Sequence, residues 1–139
     1  MVKYGEFSFV INKFSAILIT GGLSSSVGQS VEVFVPSTNT SCQLPSLPAV
    51  RRYHTLDGFL LCGGYDAGHS CQQFNTTTGI WAGTGHTLQM KRYSHVSWSV
   101  EPEGIILLGG YDGGARSTSE IVKHDGTTES SFHLKNSIL

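Results

Sequence analysis

The chain has 139 residues, the size of one small domain. Nine Lys and Arg against ten Asp and Glu leave a net charge of −1, and 14% of residues are charged against 39% hydrophobic. This balance excludes a nucleic-acid binder working through a basic phosphate-tracking patch and a highly charged disordered chain. No apolar run reaches the roughly 18 residues of a membrane-spanning helix. Seventeen glycines, with abundant Ser, Thr and aromatics, point to short strands joined by tight turns.

In chain order, a weakly marked first strand falls around Phe7 to Ile11. Lys3 and Lys13 before the apolar run Phe14 to Thr20 imitate a secretory leader. Glu6 interrupts the basic part, and the apolar run is short for a leader core, so the run reads better as a strand. It ends at Gly21-Gly22. A polar loop and a strand-like run from Ser30 to Val35 follow, then a turn from Pro36 to Thr40. Leu44-Pro45-Ser46-Leu47-Pro48 leads to Arg51-Arg52-Tyr53-His54, where a new strand begins. Asp57-Gly58 predicts a two-residue hairpin turn, because both residue types tolerate positive φ. Phe59 to Cys62 runs into Gly63-Gly64, Ser70 to Phe74 is strand-like, Asn75 to Gly79 turns the chain, and Trp81 marks a fourth strand. Arg92-Tyr93-Ser94-His95 opens the next round, with Glu101 and Glu103 at a hairpin tip. Ile105 to Leu108 then reaches Gly109-Gly110, Thr118 to Lys123 is a strand, and Asp125 to Thr128 a turn. No closing strand is evident after it.

These features recur in phase. From Gly21 to Gly63 is 42 residues, and from Gly63 to Gly109 is 46. Double glycine, strand, turn and Arg-x-x-His agreeing at one period predict a blade-type repeat of four strands each. The apolar runs alternate little, as expected of strands buried on both faces.

The pattern resembles the kelch repeat family. The matching residues are the apolar–Gly-Gly runs, Phe34 and Phe74 ending the third strands, Trp81 seven residues after Phe74, and Leu44 to Pro48 before Arg51. The match runs from about residue 14 to 134 and departs at Ser41, where the family has Trp, and in the last repeat. There Val122 replaces the aromatic, and Phe132 is the nearest stand-in for the Trp. The resemblance implies an all-β, incomplete kelch-type β-propeller of about three antiparallel blades: residues 7–48, 49–90 and 91–135 of a single unit spanning 1–139. Three blades make half of the usual ring. The chain therefore reads as a fragment, and closing the ring requires further blades or self-association.

In that family the loops between second and third strands lie on one face and contact partner peptides. This marks Tyr65, Asp66, Tyr111 and Asp112, with His69 and Arg116 in the same loops, and Tyr53 and Ser94 in the Arg-x-x-His segments. Tyrosines offer rigid contact area at modest entropic cost, and Arg116 suits a carboxylate. Arg51 with His54 and Arg92 with His95 repeat at equivalent positions, which points to packing rather than catalysis. The double glycines end strands instead of opening helices, so they are not phosphate loops.

Three cysteines are an odd number. Cys62 and Cys71 flank one short loop and are candidates for a disulfide, the alternative being small half-buried hydrophobes. Cys62, His69 and Cys71 lack metal-ligand spacing. Asn39 and Asn75 each open a glycosylation sequon. No catalytic constellation can be placed. The expected function is a non-catalytic module for a protein or peptide partner, with no cofactor, nucleic acid or membrane. A second reading is an extracellular glycan-contacting or adhesion propeller. A third is part of a copper radical oxidase-like propeller, which needs converging Tyr, His and Cys ligands.

Overall fold

The computed structural model describes residues 7–11, 16–24, 26–100, 102–123 and 127–133. Lys3, Glu6, Lys13, Phe14, Glu101 and Asp125 fall outside these. Among the described residues there is no helix. The described residues form twelve strands in three antiparallel sheets of four, each a meander in chain order. The first sheet holds β1 (Phe7–Ile11), β2 (Ala16–Thr20), β3 (Val31–Val35) and β4 (Thr40–Gln43). The second holds β5 (Thr55–Asp57), β6 (Leu60–Cys62), β7 (Ser70–Asn75) and β8 (Ile80–Thr87). The third holds β9 (Val96–Val100), β10 (Gly104–Leu108), β11 (Thr118–Lys123) and β12 (Thr128–His133).

Two local expectations are corrected. A closing strand does exist in the third sheet: β12 pairs along β11, and Lys123 Nζ lies 2.6 Å from Glu129 Oε1 across the pair. Its polar sequence hides it from hydrophobic patterning, because an edge strand is held mainly by its backbone ladder. The β5–β6 hairpin turns on Gly58-Phe59 rather than Asp57-Gly58, since Asp57 already pairs with Leu60. Only Gly58 of the loop has positive φ, at 57°, which fits a turn with glycine at its first central position.

The core lies between sheets. Leu18 and Val31 of the first sheet meet Leu56, Leu61 and Trp81 of the second, with Leu47 of the linker among them. Cys62, Cys71 and Leu88 meet Ile105, Leu107 and Val122 of the third. The middle sheet is thus covered on both faces. The outer sheets have one described neighbour each, so β2 and β10 alternate fully buried with partly buried residues instead of being uniformly buried.

The repeated motifs fasten each sheet to the next. The Arg51 guanidinium donates to the carbonyls of Gly63 (2.7 Å) and Ser70 (2.9 Å), and Arg92 donates to those of Gly109 (2.7 Å) and Thr118 (3.2 Å). Both arginines are buried. Their own carbonyls accept from the preceding sheet: Gly22 N–H to Arg51 at 3.1 Å, and Gly64 N–H to Arg92 at 3.0 Å. This approach explains the glycine before each donor. Gly63 has φ 69°, and a Cβ there would lie 2.6 Å from the Arg92 oxygen and 2.6 Å from His95 Cε1. Gly21 has the same φ against Arg51 and His54. Each imidazole also reaches the preceding sheet, His54 Nε2 to Thr20 Oγ1 and His95 Nε2 to Thr55 Oγ1, both at 2.8 Å.

Candidate functional site

The loops after the double glycines and the Arg-x-x-His segments meet at one end of the sheets. Tyr65 N–H donates to the Arg52 carbonyl at 2.9 Å, while Tyr93 and Tyr111 exchange backbone hydrogen bonds at 3.1 and 2.9 Å. Ser94 N–H donates to the Tyr53 carbonyl at 2.8 Å and joins the two Arg-x-x-His segments. Tyr53 and Ser94 carry positive φ, 58° and 51°. The chain reverses there without a glycine, at a cost of the order of 1 kcal/mol each.

This scaffold gathers every tyrosine among the described residues. The Tyr93 ring lies 5.1 Å from that of Tyr65, 5.5 Å from Tyr111 and 6.3 Å from Tyr53, centroid to centroid. All three spacings fall in the range where aromatic pairs attract. Partial burial first, and then Tyr111, Tyr65, Asp112 and Tyr53 around it, raise the Tyr93 phenol above its ordinary value, so it stays neutral. Tyr65 is 54% exposed and Tyr111 36%, so the cluster forms an aromatic ledge rather than a core.

Two ion pairs flank the ledge. Arg52 lies over the Tyr65 ring, its Cζ 4.4 Å from the centroid, with Nε 3.1 Å from Asp66 Oδ2. Arg116 Nη2 is 3.0 Å from Asp112 Oδ2. Both pairs are partly exposed and contribute little to stability. They set a guanidinium on each side of the tyrosines.

The structure brings together Tyr53, Tyr65, Asp66, Tyr111, Asp112 and Arg116. Ser94 lies in the same segments, exposed. His69 serves a different purpose, with Nδ1–H donating to the Leu88 carbonyl at 3.0 Å and fixing the linker after β8. Tyr93, at the centre, and Arg52 escaped the sequence reading. They occupy the same first variable position of Arg-x-x-His, so the signal was an aromatic or cation repeated in phase beside the positions already singled out.

Cys62 and Cys71 are directly opposed across β6 and β7, with Cα atoms 4.2 Å apart, and form a disulfide. Cys42 is free and exposed. Among the described residues no three His, Cys, Asp or Glu side chains converge as metal ligands. Asn39 and Asn75 lie at the β3–β4 and β7–β8 turns, at the other end of the sheets from the tyrosines. No model of a known protein family matches this sequence, and no curated protein matches it.

Proposed function

We propose that the three sheets are successive blades of a kelch-type β-propeller and that the chain is a non-catalytic binding module for a protein or peptide. The observation that carries this reading is the tyrosine ledge. Four tyrosines and two Arg–Asp pairs, drawn from the loops of two consecutive repeats, converge on one end of the sheets. Interface hot spots favour this chemistry, with rigid aromatic area beside guanidinium groups. The blade assignment is supported by the phased motifs and by the two cores, each shared between consecutive sheets.

The test is a peptide selection on the folded chain followed by affinity measurement. Selected peptides are expected to lose at least tenfold in affinity, about 1.4 kcal/mol, with Tyr65→Ala and again with Arg116→Ala. They should bind Asn39→Gln, altered at the opposite end, as they bind the parent. Peptides indifferent to both ledge variants overturn the assignment of the face. The Cys62–Cys71 disulfide favours a second reading, in which the module works outside the cell, because structural disulfides form and persist in oxidising compartments.

A further inference from the structure

We propose that Asn75 carries an N-linked oligosaccharide. Asn75 ends β7 and opens the sequon Asn75-Thr76-Thr77. It is exposed, and its Oδ1 accepts the N–H groups of Thr77 at 2.9 Å and Thr78 at 3.0 Å. The side-chain carbonyl is therefore tied to the residue that completes the sequon, while Nδ2 makes no hydrogen bond among the described residues. Both bonds span only two and three residues. The turn can form on an emerging chain before the sheets assemble.

Asn39, the other sequon, lacks this arrangement. It sits in the β3–β4 turn at φ 51°, and Thr40 and Ser41 are already paired with Val35 and Phe34 in the ladder. Among the described residues no side-chain hydrogen bond orients it.

Two further observations point the same way. Asn75 and Thr76 border an open hollow of about 400 Å³ that includes Phe59, Phe74, Ala82 and Thr84. A first sugar on Nδ2 can lay its apolar face against this aromatic floor. The disulfide between β6 and β7 is of the kind that forms on the oxidising route, where sequons are modified. The six residues of β7 span roughly 20 Å and separate Asn75 from the loop bearing Tyr65 and Asp66 at the other end. A glycan there leaves the tyrosine ledge open.

In the reaction, Nδ2 attacks the anomeric carbon of an oligosaccharide linked to a lipid diphosphate. The carbon–nitrogen bond forms as the bond from that carbon to the diphosphate oxygen breaks. The lipid diphosphate leaves with the electron pair, and Nδ2 gives up one proton.

This inference rests on the extracellular reading, and the experiment separates the two. Protein from its native source is mapped by mass spectrometry without reduction, and then after peptide-N-glycosidase in heavy-oxygen water. The expected result is a Cys62–Cys71-linked peptide together with conversion of Asn75 to labelled Asp. In secreting cells, Asn75→Gln should abolish the glycosidase-sensitive gel shift, and Asn39→Gln should keep it. A bare Asn75 beside an intact disulfide overturns the proposal and spares the extracellular reading. A bare Asn75 with both thiols free overturns both. Glycan on Asn39 alone also overturns the proposal.

Discussion

At residue scale, two buried arginines solve one problem in different ways. Arg92 Nε donates to Glu120 Oε1 at 2.9 Å, and Glu120 Oε2 accepts the Gln89 N–H at 2.8 Å. Burial lowers the Arg92 pKa, and the carboxylate opposes that shift. In the second sheet, Gln72 stands where Glu120 stands, and Pro48 stands where Gln89 stands. Proline has no N–H, so a second carboxylate oxygen there would lack its donor, and a neutral amide fits. Arg51 has no carboxylate beside it, and burial lowers its pKa to about 10, still charged near neutrality. Glu120→Ala should cost about 3–5 kcal/mol, by stranding a buried guanidinium; Gln72→Ala, which removes an amide whose Oε1 has no hydrogen-bond partner among the described residues, should cost less, both read from urea unfolding. The imidazoles yield a pH prediction. Burial, and then Arg51, lowers His54 to about 3; burial, and then Arg92 and His54, lowers His95 to about 3. Both folded values lie below the ordinary 6.5, so the unfolded chain binds protons first. Their contribution to stability is complete above about pH 6.5 and is lost as pH falls toward about 3, at ~1.4 kcal/mol per pH unit for each. The urea midpoint should be flat from pH 7 to 8 and fall between about 6.5 and 4.5. His95→Gln should halve that slope; an unchanged slope would show that His95 is not one of the groups involved.

At the scale of the element, the disulfide staples two short strands. β6 has three residues, too few to hold a ladder well alone. The bond closes a loop with a sequence separation of 9, for which the chain-entropy account gives roughly 2.7 kcal/mol. Cys71→Ala should lower unfolding stability by about 2–3 kcal/mol. Both sulfurs are buried, so reductant should act on the parent only in step with unfolding. The elements also show what the sequence made legible. The double glycines, which recur in all three repeats, and the Arg-x-x-His segments, which recur in two, announced strand ends and starts because each answers a steric or hydrogen-bonding demand of the contact between sheets; Trp81 marked a strand in one repeat. β12 was not legible, because an edge strand needs no apolar stripe. Of the tyrosine ledge, the exposed members in the glycine loops were legible. Tyr93 was not, since it fills a place held by Arg52 in the other repeat, and only the three-dimensional meeting of the loops makes it the hub.

At the scale of the whole molecule, the same registers that build two cores leave a third face uncovered among the described residues. In the first sheet Leu18 and Val31 are buried against the second, and in the second Leu60 and Cys62 pack against the third. The equivalent positions of the third sheet are Ile106 and Leu108, beside Val96 and Trp98 on β9. Among the described residues nothing packs over them, and Val96 is 52% and Trp98 69% exposed. An indole and two aliphatic rows in one plane form an apolar patch of the kind that soluble monomers seldom leave open. On the far side of the first sheet, Ile17 and Ile19 occupy the positions by which Ile105 and Leu107 cover the second sheet. A second copy therefore offers the surface that this face fits, in the arrangement the chain already uses twice. The 139-residue chain should accordingly self-associate as its concentration rises in sedimentation velocity. The double variant Val96→Ser, Trp98→Ser should stay monomeric with its unfolding midpoint nearly unchanged, because those side chains are already in water. If the double variant associates as the parent does, this face is not the contact.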